Sequence, residues 1–430
     1  MTPKREPIRK WYKLDNAAKI YPPTATSVWA ALFRVSATFK EPINKEIMQK
    51  ALERTAERMP ALSYTLKKGL FWYYIEQNAG KTPKIQEDVS NPCMKISKDE
   101  NEGFQFRVRV YNKRVALEVF HAMTDGTGAL TFLKTLCAEY LKQQDHEIPE
   151  YKGILNCDDK PKASEMEDGH NKFSKFTVNE KRADKRAYYI KGTKEPFDTV
   201  HITTGLVPSA IIAQKAKEKK LSMTEYLAGI YCYVLYKMQQ DENPRKKRPV
   251  MLSLPVNLRS FYDTDTMRNF AYFVITGIDP NYGEFTQEEV FAEIHHFFQR
   301  ALNEKYLNAK ISKNVQSERN LLIRLIPVII KDPVMNFVYK FVGDSRNTST
   351  VSNLGRVDLP EEMAEHIERF DFMLGRSRFT NVNCGVIGFK DTISITFSRA
   401  IAEPYVERAF FQELVNLGIP VTIESNQEVE

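Results

Sequence analysis

Cysteine is scarce and scattered in this chain. Its 430 residues include five, Cys93, Cys137, Cys157, Cys232 and Cys384. The number is odd and no CxxC pair occurs, which speaks against a disulfide framework and against a cysteine-built zinc site. Glycine and proline number only 18 and 21, too few for a collagen-like or low-complexity chain. No apolar core follows the polar, basic start Met1 to Lys10, so no secretory leader is expected. The most apolar stretch, Leu321 to Val342, is interrupted by Arg324, Lys331, Asp332 and Lys340, so no transmembrane span is expected. No nucleotide-binding glycine fingerprint is present. These absences point to a soluble protein of a reducing cytoplasm.

What is present is a folding composition: 42% hydrophobic, 27% charged and 11% aromatic residues. That is ample for a sizeable core in a chain two or three domains long. The net charge of +7, from 62 Lys and Arg against 55 Asp and Glu, favours anionic ligands without requiring nucleic acid. The densest basic run, Arg245 to Arg248 between Pro244 and Pro249, reads as a solvated loop before a strand rather than a nucleic-acid patch.

Periodicity organises the chain. Val28 to Phe39 alternates as a strand does, and Pro42 is expected to open a helix through about Arg58. Two β-rich runs between Phe104 and Phe120 flank Tyr111-Asn112-Lys113-Arg114 as a hairpin. Ala129, Leu130, Leu133, Leu136, Cys137, Tyr140 and Leu141 then recur at helical spacing. Residues 143–193 are polar and weakly periodic, a crossing between halves. Thr199 to Leu206 reads as a strand with a helix opened by Pro208, and Leu221 to Met238 as a helix apolar nearly all round. Asn381 to Phe389 and Thr392 to Phe397 form a second hairpin, followed by a helix from about Pro404 to Leu417. Hairpin, short loop and helix thus occur twice. The pattern predicts two similarly built α/β halves, residues 1–185 and 186–430, facing each other across a cleft, where ligands tend to bind.

The second strand of the first hairpin runs into His121-Ala122-Met123-Thr124-Asp125-Gly126. A histidine at a strand end is held on a rigid element yet points out of the sheet. The corresponding position of the second copy is Ser398 or Arg399, so one active site per chain is expected. Position alone leaves two readings: a histidine placed to act on a ligand, or a strand-end histidine with Asp125 simply capping the next helix. His121 and Asp125 lie four apart, but no third ligand is near and no metal site is expected.

His121-Ala-Met-Thr-Asp125-Gly126 resembles the HxxxDG core of the chloramphenicol acetyltransferase-like superfamily, which includes condensation domains, plant BAHD acyltransferases, wax ester synthases and alcohol acetyltransferases. Two further stretches agree in order: Pro255-Val256-Asn257-Leu258-Arg259 with Asn269-Phe270 resembles the "PVNLR... GNF" region, and Val351-Ser352-Asn353-Leu354-Gly355 resembles the "SNLG" segment. The likeness spans roughly residues 10 to 420. Phe120 stands where the family motif has its first histidine, and Arg268 where "GNF" has glycine. No DFGWG segment occurs, which leaves the alcohol acetyltransferase branch as the nearest likeness.

The resemblance implies two pseudo-duplicated chloramphenicol-acetyltransferase-like α/β sandwich halves with mixed sheets and a cleft or tunnel between them. It implies direct transfer of an acyl group, from a thioester such as acyl-coenzyme A to a small alcohol or amine, with no acyl-enzyme intermediate and no permanently bound cofactor. His121 is then the general base, since a neutral imidazole can accept a hydroxyl proton. Asp125 and Gly126 shape the loop, and Arg259 pairs with Asp125 from the other half. The alternative role for Asp125 is to orient His121. Ser352, Asn353 and the Gly126 N–H are candidate oxyanion donors, although Ser352 and Asn353 read equally well as a turn before a glycine. Asn269, Tyr272 and Ser398 are candidate tunnel residues. The aromatic stretches Phe71 to Tyr74 and Phe270 to Phe273 divide between tunnel lining and core packing. Lys215, Lys217, Lys219, Lys220 and Arg245 to Arg248 offer attraction to coenzyme A phosphates. A monomer is expected. The competing expectations are a condensation-type enzyme fed by an acyl carrier protein and a non-catalytic binding protein that has kept the fold.

Overall fold

Short apolar runs become strands here where the middle of each main sheet is buried on both faces. The computed structural model describes residues 10–26, 29–78, 80–97, 100–175, 186–319, 324–338, 344–378 and 380–427. Val28 of the first expected strand, residues 1–9 of the basic start, residues 176–185 of the crossing and both ends of the 321–342 stretch lie outside these. Strands among the described residues are β1 (Trp11–Lys13), β2 (Leu32–Phe39), β3 (Tyr64–Lys68), β4 (Tyr73–Gln77), β5 (Ile85–Glu87), β6 (Phe106–Tyr111), β7 (Arg114–Phe120), β8 (His201–Pro208), β9 (Val250–Asn257), β10 (Ala271–Ile278), β11 (Ser349–Val357), β12 (Ile367–Leu374), β13 (Val382–Phe389), β14 (Thr392–Arg399) and β15 (Thr422–Ser425). They form a five-stranded sheet, β12-β2-β7-β6-β5, a seven-stranded sheet, β10-β9-β11-β13-β14-β8-β15, and a small sheet β1-β4-β3. The two large sheets are mixed: β5 runs parallel to β6, and β11 parallel to both β9 and β13, while their remaining pairings are antiparallel.

Each large sheet has its own hydrophobic core. Hairpin, loop and helix do occur twice, as β6-β7 with the helix Gly126–Lys142 and as β13-β14 with the helix Tyr405–Asn416. The expected halves nevertheless exchange a segment. Residues 357–374 lie in the second by sequence, yet β12 pairs antiparallel with β2, Phe370 opposite Ala37, and Ile367, Phe370 and Phe372 sit in the first core. Pairing partners over 300 residues apart leave no local periodic signal.

Two helix starts also differ from expectation. Asn44, not Pro42, caps the helix Lys45–Arg58, its side-chain oxygen accepting the N–H groups of Glu46 and Ile47. Pro42 lies ahead of the cap. The largely buried helix begins at Met223, where Ser222 and Glu225 form a reciprocal capping box, a motif that satisfies two otherwise orphaned backbone donors. The run Arg245 to Arg248 is a loop leading into β9, with three of its four residues exposed.

The outer face of the first sheet carries a buried charge ladder. Register places Arg34 of β2 and Arg107 of β6 on either side of Glu118 of β7, and both bond its fully buried carboxylate, at 3.1 and 2.7 Å. Arg34 also forks onto Asp88, which receives Arg114 as well. Burial pushes the Asp88 carboxyl up, but the hydrogen bond and charge of Arg34, with Arg114 behind, overcome it and bring it to about 2. A carboxyl lowered from 3.8 contributes stability that is complete above that value and is lost as pH falls through about 2. The protein is therefore expected to lose stability in acid over that window, and Asp88→Asn to flatten the loss. Glu118→Ala removes the fully buried carboxylate shared by Arg34 and Arg107, which keep Asp88 and Glu100, and is expected to cost a few kcal/mol at most, below the roughly 3 to 5 of a buried charge left unpaired, in denaturant unfolding.

Candidate active site

His121 leaves β7 directly, and its backbone N–H donates to the Ala31 carbonyl at 2.9 Å while Met123 N–H closes a turn onto Phe120. The imidazole is thereby fixed at the end of a paired strand. It stacks on Tyr21, with centroids 4.7 Å apart and planes 16° apart, and meets Phe33 edge-on at 4.9 Å. Its Nδ1 lies 3.0 Å from Asn269 Oδ1. The other end of that amide, Asn269 Nδ2, points to the Asp15 carboxyl at 3.4 Å, a group that burial pushes up, and its Oδ1 faces the imidazole. A carbonyl oxygen only accepts, so Nδ1 carries the ring proton and Nε2 keeps its lone pair. Burial pushes the imidazole below its ordinary value, against weaker upward pulls from its own backbone, Asp125 and Asn269. The ring is neutral at neutral pH.

Asp125 gathers donors from both halves. One carboxylate oxygen accepts the Gly128 N–H at 3.1 Å and so caps the helix Gly126–Lys142. The other accepts Arg259 Nη1 at 2.8 Å and the Phe270 N–H at 2.7 Å. Burial raises the Asp125 carboxyl, but the Arg259 charge and hydrogen bond, then the two backbone donors, outweigh it and hold it ionised. Arg259 spends its remaining donors on the Thr266 and Arg268 carbonyls, which curls residues 259–271 into a tight loop laid against the first half. Asp125 therefore faces Arg259 rather than the imidazole.

The neighbouring glycines mark close approach. A Cβ on Gly126 would sit 2.5 Å from a Leu354 methyl, and one on Gly128 would sit 2.7 Å from the Met267 carbonyl. The first motif thus packs directly under the other two.

His121 stands on the wall of a cavity of about 2140 Å³ between the two large sheets. Tyr21, Phe33, Trp11, Phe71, Trp72 and Tyr73 contribute from the first half, and Ser253, Tyr272, Phe273, Thr350 and Asn383 from the second. Lys310, Lys313 and Arg346 add positive charge to the second-half wall.

No protein-family model and no curated protein matches this sequence. Solved structures do match. TRI101 of F. sporotrichioides, solved with coenzyme A and T-2, aligns at TM-score 0.62 and 9% identity over 97% of this chain and 100% of that one. TRI3 trichothecene 15-O-acetyltransferase from Fusarium sporotrichioides aligns at TM-score 0.59 and 10% identity, covering 96% and 98%. The first condensation domain of the CDA synthetase aligns at TM-score 0.56 and 12% identity, covering 93% and 92%. The chain has the chloramphenicol acetyltransferase-like fold.

Within this acetyltransferase-like fold the two departures from the motifs have physical accounts. Phe120 is buried in the first core, paired with Leu32. Arg268 is buried too and donates to the Lys13 and Met166 carbonyls at 2.6 and 3.3 Å, with Nε 3.6 Å from Asp15. It ties the loop of one half to the amino-terminal segment of the other.

The remaining sequence candidates scatter. Tyr272 lies on the cavity wall, whereas Asn269 sits behind His121 and does not face the cavity. Ser398 is buried in β14 away from the cavity. Asn353 commits its amide to a turn, donating to Thr224 and accepting the Gly355 N–H. Ser352 is buried two residues beyond the wall residue Thr350. Of the aromatic stretches, Phe71 to Tyr73 and Tyr272 to Phe273 reach the cavity, while Phe270 is core. Lys215 to Lys220 and Arg245 to Arg248 are not wall residues. Asp15 and Tyr21, both against the His121 assembly, carried no sequence signal, since neither lies in a periodic run.

Removing Asn269 removes a hydrogen bond that favours the charged ring. Asn269→Ala is therefore expected to lower activity and to move the acid limb of the kcat/KM profile to lower pH. An acid limb that stays in place would detach Asn269 from the imidazole. Asp125 and Arg259 singly replaced by Ala are expected to lose stability non-additively, with a coupling of about 0.5 to 3 kcal/mol in a double-mutant cycle of unfolding.

Proposed function

We propose that the protein is an acyltransferase that moves an acyl group from acyl-coenzyme A to an alcohol hydroxyl, with His121 as general base. The observation that carries this is a neutral imidazole on a cavity wall with Nδ1 held by Asn269, which leaves Nε2 to take a proton. As the acceptor oxygen attacks the thioester carbonyl, Nε2 takes its proton and a C–O bond forms. The oxyanion collapses, the C–S bond breaks, and the departing thiolate recovers the proton from the imidazolium. Ester and thiol leave and His121 is neutral again.

The oxyanion requires donors. Asn383 is the best supplied wall residue, because its oxygen is occupied by the Thr380 hydroxyl at 2.9 Å and its NH₂ is left to donate. Ser253 and Thr350 place hydroxyls on the same wall. The coenzyme A bound in the F. sporotrichioides TRI101 structure and the cations Lys310, Lys313 and Arg346 on a second-half wall that also holds Asp279, Glu293 and Glu318 support a coenzyme A thioester as donor. The open cavity beside His121 speaks for catalysis over a purely structural role.

The test is thiol release from a panel of acyl-CoA donors, with and without alcohols and amines. His121→Ala is expected to lower turnover by about 10² or more while the fold stays intact by circular dichroism. In wild type the acid limb should fall below the ordinary histidine value of about 6.5, because the lowered ring stays neutral to lower pH. Turnover within a few-fold of wild type in His121→Ala would remove the assignment. Equal rates with acyl-pantetheine on a carrier protein, and none with acyl-CoA, would favour the condensation-type donor.

A further inference from the structure

The helix Val328–Val338 is amphipathic the wrong way round for a soluble protein. Its polar side chains turn inward: Lys331 Nζ donates to the Phe71 carbonyl at 2.9 Å, Asp332 accepts the Tyr73 hydroxyl at 2.7 Å and Lys68 at 2.8 Å, and Asn336 accepts from Arg378. Its outward face is Ile329, Ile330, Val334 and Phe337, with Ile329 74% and Phe337 63% exposed. Leu325, just before it, and Leu70, whose carbonyl accepts the Val328 N–H, extend the surface. Large exposed apolar patches on a single protein mark interaction sites.

The surroundings identify the partner. Trp11 and Trp72 are both partly exposed beside this face, and Lys13 lies over the Trp72 ring at 5.2 Å. Lys67, Lys68 and Arg324 are exposed around it. The nearby acids Asp332 and Glu318 are each bonded to a lysine, Lys68 and Lys19, and Glu76 of β4 lies opposite Trp11. Apolar side chains flanked by tryptophan and by cations are the composition of a surface that lies in the interface of an anionic bilayer. The same helix reaches the cavity through Val328 and Met335, and Trp11 and Trp72 stand on the cavity wall as well.

We propose that this face docks on anionic membrane surfaces and that the cavity opens there to an apolar substrate partitioned in the bilayer. The second clause rests on the acyltransferase reading; the first does not. Docking is tested with the full chain and vesicles of phosphatidylcholine alone or with about a third phosphatidylglycerol, by co-sedimentation and tryptophan fluorescence. Wild type is expected to bind the anionic vesicles at least about tenfold better than the neutral ones, less so as salt rises. Ile329→Asp with Val334→Asp should lower that binding by about tenfold or more at an unchanged melting temperature, since both side chains are exposed. His121→Ala should bind vesicles as wild type does, which separates docking from chemistry.

Absence of anionic-vesicle binding, or equal binding by the double variant, would overturn docking. So would a solution homodimer dissolved by the same two substitutions in a chain that ignores vesicles, because the face would then be a protein interface. If docking holds, an active enzyme whose kcat/KM for a long-chain alcohol is indifferent to vesicles would overturn the bilayer-facing entrance alone.

Discussion

One carboxylate holds the two halves in working register. Asp125 accepts a helix N–H from its own half and a guanidinium and a backbone N–H from the other. Its charge compensates Arg259, and Arg259 in turn binds the carbonyls that close the loop of residues 259–271. A buried ion pair adds little net stability, because desolvation offsets the attraction. What it does add is geometry. Asn269 and Phe270 are neighbours in that loop, so the carboxylate that seats the Phe270 N–H also delivers Asn269 to the His121 ring from the far side of the molecule. Arg268 fastens the same loop to Lys13 and Met166, and Asp15, two residues beyond Lys13, closes the chain onto the Asn269 amide. The arrangement of the imidazole thus depends on contacts made by three separate segments.

This dependence explains how much of the site was legible in the sequence. Strand and helix periods are local, so both hairpins and the helices that follow them could be read, and HxxxDG pointed to His121 because a strand end, a tight turn and a helix start fall within six residues. Asn269 drew attention through the motif beside it, but its direction is set by Asp15, some 250 residues away. No spacing rule connects those two. Strand β12 is a similar case: its own run of residues reads equally well in either sheet, and only the complementarity of its apolar face with β2 decides. Asn353 is a case where the sequence left two readings open. Its motif suggested chemistry, yet an Asn two residues before a glycine at positive φ is already well used by the turn.

The inverted helix shows what a hydropathy reading leaves out. Charges at Arg324, Lys331 and Asp332 do exclude a span, because a span would carry them into hydrocarbon. They do not exclude a surface helix, which needs one apolar side only. By bonding Lys331 and Asp332 inward to the turn at Phe71 and to Tyr73, the protein meets their hydrogen-bonding needs and releases the opposite face from any polar duty. The helix is among the contacts of the short Tyr21–Thr24 helix, and Tyr21 is the residue stacked on His121. A movement of the surface helix therefore has a short mechanical route to the imidazole. Tyr21 contributes to the burial that lowers the imidazole, and it is carried by the segment on which the outward-facing helix rests. Burial of the imidazole and the apolar surface are thus tied to neighbouring residues, Tyr21, Phe71 and Val328, rather than arranged independently.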